Sequence, residues 1–168
     1  KRNTTINMSI TAPFPYTINP DVFRRNPTAV FKLKFGKKYF IFKGLKIAKT
    51  VEALSAQIHR ERNNPKEDSI LINVIAYIKR QRINMMDVEV IFESDAVLHI
   101  LKEEYAALQA AKGDENCLNT RFTNNEYFPQ WVPQTVINDF QASLQGVSPT
   151  DHEKKLRTYL RRTLQDEE

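Results

Sequence analysis

The chain has 168 residues, 41% apolar and 27% charged, which suits one packed domain with appendages. No apolar run reaches the roughly 18 to 20 residues of a membrane-spanning helix, and the polar residues 1–7 lead into no apolar signal core. The formal charge of +5 hides an asymmetry: residues 1–64 carry 13 Lys/Arg against 3 Asp/Glu, and the remainder 12 against 17. The first third is therefore expected to face something anionic, either nucleic acid or an acidic protein surface. Cys117 is the single cysteine, which excludes an intrachain disulfide and is compatible with a reducing compartment. His59, His99 and His152 lie too far from it and from one another for a zinc pattern.

Residues 1–28 read as an extended arm. Pro13, Pro15, Pro20 and Pro27 remove backbone donors, and Phe14, Tyr16 and Phe23 are apolar anchors without helical spacing. The core, residues 29–119, opens with a hairpin. Alternation over residues 29–35 puts Phe31, Leu33 and Phe35 on one face, Gly36 and Lys37 make the turn, and residues 38–43 return. The return strand is apolar on both faces, as an interior strand would be. The spacing then predicts a helix over residues 50–62, capped by Thr50 and carrying Val51, Leu54 and Ile58. A second helix, 69–82, carries Ile70, Leu71, Val74, Ile75 and Ile78. Strand 87–93 alternates, with Val88, Val90 and Phe92 facing inward. Ser94 or Asp95 caps a third helix that ends before Gly113. Residues 120–168 are expected to add an aromatic loop (Tyr127, Phe128, Trp131), a short helix over 134–144 and a basic amphipathic helix over 150–164. The predicted fold class is α+β: a small three-stranded antiparallel sheet flanked by helices, in the order β-β-α-α-β-α.

That order, together with several phrases, resembles the GIY-YIG nuclease family. Val30-Phe31-Lys32-Leu33 is similar to the family's Gly-Ile-Tyr strand, and Lys38-Tyr39-Phe40-Ile41-Phe42 to its second, Tyr-Ile-Gly strand. The helix-then-strand run from Ser69 to Phe92 is similar to the middle of phage and homing-type members. Leu101 to Leu108, with Asn119 beyond, resembles the glutamate helix and trailing asparagine. The resemblance spans 29–119.

It implies cleavage of a phosphodiester with one divalent metal. Two tyrosines, an arginine, a histidine or tyrosine, a glutamate and an asparagine would do the work. Most of those groups are replaced here. Phe31 and Phe40 occupy the tyrosine positions and cannot relay a proton, and Phe42 fills the motif glycine. Tyr39 is one residue off, and adjacent strand residues point to opposite faces. The arginine position falls on Ser55 if His59 is the histidine, or on Ala53 if Gln57 takes that slot. Residual candidates are Tyr39, His59, Glu104 (or Glu103) and Asn119. A lone carboxylate is a poor magnesium site, so no resident metal is expected; Mg or Mn belongs only to a divergent, still active nuclease.

Three functions follow as expectations. The first is a non-catalytic GIY-YIG-like module acting in structure or assembly, of a phage or mobile element, clasping other protein subunits through the arm and the last helix. Such a protein would be cytoplasmic or virion-associated. The second is a nucleic-acid-binding domain using Lys32, Lys34, Lys37, Lys38, Lys43, Lys46 and Lys49, the hairpin lysines sharing one face against DNA phosphates. The third is a divergent metal-dependent endonuclease.

Overall fold

In the computed structural model, which describes residues 7–8 and 13–120, the chain forms an α+β domain on one mixed, open sheet with four helices. The elements are β1 (Asn7–Met8), β2 (Tyr16–Ile18), α1 (Pro20–Arg25), β3 (Ala29–Phe35), β4 (Lys38–Gly44), α2 (Ile47–Asn63), α3 (Ile72–Gln81), β5 (Met86–Glu93) and α4 (Val97–Ala111). From β3 to α4 the order is the expected β-β-α-α-β-α. The aromatic loop and the two helices expected after residue 120 lie outside the described residues, as do 1–6 and 9–12.

The hairpin forms because Gly36 takes φ +70 at the first turn position, which a two-residue reversal needs and a side chain resists. Seven residue pairs then zip β3 to β4, from Phe35↔Lys38 to Ala29↔Gly44. β5 pairs antiparallel on the other side of β3. The expected three-stranded antiparallel sheet is thus one side of a larger one, whose order is β1-β2-β5-β3-β4. β2 runs parallel to β5, with Tyr16 opposite Met86, and the two-residue β1 closes that edge antiparallel. Prolines do not prevent β2, because Pro13, Pro15 and Pro20 flank the three paired residues and leave their donors intact.

Two layers of helices cover the sheet. α2 and α3 press Ile47, Val51, Leu54, Ile58, Val74, Ile75 and Ile78 against Phe31, Leu33, Phe35, Phe40 and Phe42. α4 presses Ile100, Leu108 and Ala111 against Val30 and Ile41 on the opposite face. The second half of the expected arm belongs to the larger of these cores: Phe14, Tyr16 and Ile18 are fully buried in it. Ser55 pins that segment to α2. Its hydroxyl accepts from the Phe14 N–H and donates to the Phe14 carbonyl, each at 2.8 Å. The Tyr16 hydroxyl adds a bond to Glu52 at 2.5 Å.

Local corrections have identifiable causes. The register shifts by one residue where Val30 faces Phe92 and Phe31 faces Val90, so Ile91 is a bulge. The bulge turns Phe92 away from Val88 and Val90 and into the α4 core, and leaves Ile91 exposed. α2 starts before Thr50 because a distant residue caps it: Asn26, left-handed at φ 50, accepts from the Ala48 N–H at 2.8 Å. Thr50 sits inside the helix, bonded to the Lys46 carbonyl. Ser69 and Ser94 likewise act in the turns before α3 and α4, accepting from Leu71 and Ala96. Gly44 closes β4 where nothing larger fits, since a Cβ there would lie 2.1 Å from Thr50 Oγ1.

Candidate functional site

The positions that resemble the nuclease motif fall on two sides of the sheet. Phe31, Phe40 and Phe42 point toward α2 and α3 and form one aromatic cluster. Phe31 meets Phe42 edge-on at 6.4 Å between ring centroids, and Phe40 stacks on Phe42 at 5.9 Å. All three are buried. Ser55 is spent on Phe14, as described above. His59 is exposed on α2. Tyr39, Glu104 and Asn119 lie on the α4 side or at the β4 edge. The expectation that Tyr39 aims away from Phe40 therefore matches the geometry.

Glu104 is 1% exposed and Lys43 5%. The Lys43 ammonium stands 3.5 Å from Glu104 Oε1, beneath α4, and 4.8 Å from the Phe42 ring centroid. A lysine can sit at this place because β4 alternates: Tyr39, Ile41 and Lys43 face α4, and there the Lys43 ammonium meets the Glu104 carboxylate. The pair sets a cation beside Glu104 Oε1, and among the described residues no group of three His, Cys, Asp or Glu could hold a metal.

Asn119 acts on the backbone. Its Oδ1 accepts from the Ile41 N–H at 2.8 Å, and its Nδ2 donates to the Ile41 carbonyl at 2.9 Å, so one amide imitates a paired strand residue. Just before it, Cys117 bridges Tyr39 in parallel, with Tyr39 N–H bonded to the Asn116 carbonyl and Leu118 N–H to the Tyr39 carbonyl. The segment 116–119 thus covers an edge that would otherwise expose unpaired donors and acceptors. The Tyr39 hydroxyl anchors it by donating to Asp114 at 2.6 Å, and Lys32 lies over the Tyr39 ring at 4.4 Å.

These contacts bias protonation. Burial, and then the bond to Asp114, raise the Tyr39 pKa well above its ordinary value. The Tyr39 hydroxyl and the Asn116 N–H hold the Asp114 carboxyl below its usual range. Burial pushes the Cys117 thiol up. The signs give opposite pH windows. The tyrosine leaves stability unchanged below pH 10, the ordinary tyrosine value, and removes it as pH climbs above that toward the raised folded value. The aspartate's contribution is present above 3.8 and is lost as pH falls through the depressed folded value. Alkaline titration followed by amide exchange should therefore release the Leu118 N–H earlier than the β3–β5 ladder. Tyr39→Phe should flatten that alkaline loss. Equal alkaline sensitivity in the variant would refute the assignment.

Comparisons with protein-family models, characterised proteins and solved structures find no match. The site is read from its own geometry.

The seven lysines expected to contact nucleic acid do not form one surface, and those of the hairpin do not share one face. Lys32 and Lys34 lie on the α4 side of β3, and Lys34 pairs with Glu89 at 3.4 Å. Lys38 follows Phe40 to the other face and donates to the Glu115 carbonyl at 2.8 Å. Lys43 is buried, while Lys46 and Lys49 are exposed at the start of α2, the far end from the hairpin turn. Lys37 stands alone on the turn. Sequence reasoning missed Asp114 as the partner of Tyr39 and the Lys43–Glu104 pair. Strand periodicity puts Lys43 on the face of Ile41, but its meeting with Glu104 depends on where α4 packs. Sequence reasoning also passed over Tyr77 on α3, between Lys38 and Arg80, each cation 5.6 Å from the ring centroid.

Proposed function

We propose that the chain is a non-catalytic, GIY-YIG-like module that works as a structural or assembly protein, of a phage or mobile element. Support for the family likeness comes from the antiparallel β4-β3-β5 unit with two helices on one face and the glutamate helix on the other. One observation carries the lack of catalysis. The three phenylalanines and Glu104 are each consumed by packing, and they lie on opposite faces of the same sheet. No substrate phosphate can touch both sets. Removing one transition-state contact already costs a nuclease orders of magnitude.

The contacts to other subunits are assigned to the segments flanking the described core. Because Phe14, Tyr16 and Ile18 belong to the fold, a truncation that tests clasping must stop before Pro13. Purified full-length chain, incubated with duplex and single-stranded DNA plus magnesium or manganese, should leave the DNA intact. Sedimentation should show self-association, or co-sedimentation with a subunit from its source, that is lost on deleting residues 1–12 while the thermal transition remains. Metal-dependent cleavage that disappears in Glu104→Gln, a variant that keeps the side-chain volume, would overturn the reading.

A further inference from the structure

The hairpin-turn end of the sheet gathers several cations that no ion pair among the described residues neutralises, two of them around one aromatic ring. Arg24 and Arg25 pair with Asp21, Arg25 also with Glu93, Lys34 with Glu89 and Lys43 with Glu104. Among the described residues, no carboxylate lies within ion-pair distance of Lys37, Lys38, Arg62, Arg80 or Arg82. These residues converge. Lys38 and Arg80 flank the same ring, Tyr77. Lys37 precedes Lys38 on the turn, opposite the end of β3 at Phe35. Arg62 lies over the Phe14 ring at 5.4 Å, and Phe14 packs on Phe35 at 6.4 Å. Arg82 closes α3 in a left-handed conformation, φ 55, two residues after Arg80. Asp114 is held by Tyr39 and feels Lys38 only at longer range, while Lys38 itself donates to the Glu115 carbonyl.

This end is also apolar in places. Met85, just before the start of β5, is 38% exposed, and Tyr77 and Ile83 are only partly covered. Uncompensated guanidinium and ammonium groups around a tyrosine and an exposed methionine match the composition of protein interfaces, which are enriched in Arg, Tyr and Met. A nucleic-acid strand would satisfy the cations and could stack a base on Tyr77, but it offers nothing apolar to Met85. A peptide with carboxylates and apolar side chains satisfies both.

We infer that the turn end, centred on Tyr77 with Lys38 and Arg80, docks an acidic, partly apolar segment of a partner protein. The inference rests on the assembly reading for the kind of partner, and it names where and by what chemistry that partner is held. Like charges that face each other without counter-ions in the free chain gain most when a polyanion arrives, and such steering raises the association rate at low salt.

The test uses the full chain and three labelled probes: a glutamate peptide with leucine at every fourth position, polyglutamate, and an oligothymidylate of equal charge. The leucine-bearing peptide should bind at least about tenfold more tightly than either other probe, a difference of ~1.4 kcal/mol. Lys38→Glu with Arg80→Glu should abolish binding. Arg80→Gln alone, which adds no repulsion and threatens the fold less, should weaken it several-fold. Oligothymidylate binding as tight as the leucine peptide would overturn the inference in favour of nucleic acid. Peptide binding unchanged in both variants would overturn the location. Neither result touches the assembly reading, which fails instead if the chain cleaves DNA or never associates with protein.

Discussion

Glu104→Ala is expected to lower the unfolding free energy by about 3–5 kcal/mol, as removing one member of a buried ion pair does. The substitution leaves the Lys43 ammonium beneath α4 without the carboxylate 3.5 Å away. It also opens a void where a side chain 1% exposed now stands. Replacing both partners should recover most of the loss, because neither charge is then stranded: Lys43→Met with Glu104→Leu keeps volume and removes the desolvation problem. Urea unfolding of the three proteins decides the matter. A loss below about 1 kcal/mol in Glu104→Ala would show that the pair is not what holds α4 to β4. The same experiment separates two roles that one substitution confounds. An acid that ligates metal would alter reactivity and leave stability nearly intact, whereas this one should do the reverse.

Phe31→Ala should cost a similar amount, about 3–5 kcal/mol, the usual range for deleting a fully buried ring. Phe31 packs edge-on against Phe42, which in turn stacks on Phe40, so its loss leaves a cavity in the middle of the sheet face. The more telling variants restore what the family likeness would demand. Phe31→Tyr and Phe40→Tyr each place a hydroxyl among rings and aliphatic side chains. A buried hydroxyl without a partner costs about 1–3 kcal/mol. The double tyrosine variant should therefore be less stable than the parent and should still not cleave DNA, because Glu104 remains across the sheet. Cleavage by that variant would show that the two faces communicate in a way the fold does not suggest.

The sequence was informative where its signals are local. Alternation over residues 29–35 and 38–43, the glycine between them, and the apolar spacing of three helices all correspond to observed elements. Three features left no local mark. β2 has only three paired residues, Tyr16 to Ile18, too short for alternation to register, and its partner β5 is distant in the chain. The bulge at Ile91 reads as ordinary alternation, since Val88, Val90 and Phe92 are spaced as if the strand were regular. The start of α2 is set by Asn26, on the far side of the hairpin, so the nearer Thr50 looked like the cap. The site was legible in part. Strand periodicity already separates Tyr39 from Phe40. That Lys43 and Glu104 meet, and that Asn119 mends the β4 edge, depend on tertiary placement that no pattern in residues 38–43 or 101–119 encodes.

The parallel pairing of Tyr16 with Met86 also sets an order of events during synthesis. Thr17 donates to Asp87 across 70 residues of chain. At the ~5–20 residues per second of translation, β2 emerges roughly 3 to 14 seconds before the strand it needs. Until then Phe14, Tyr16 and Ile18, all destined for the core, have no sheet to join. The β3–β4 hairpin and α2 can organise in that interval, and Ser55 offers the Phe14 backbone an early holding point. Closure waits for β5, whose central seat between β2 and β3 makes it the last piece and the one that commits the whole sheet.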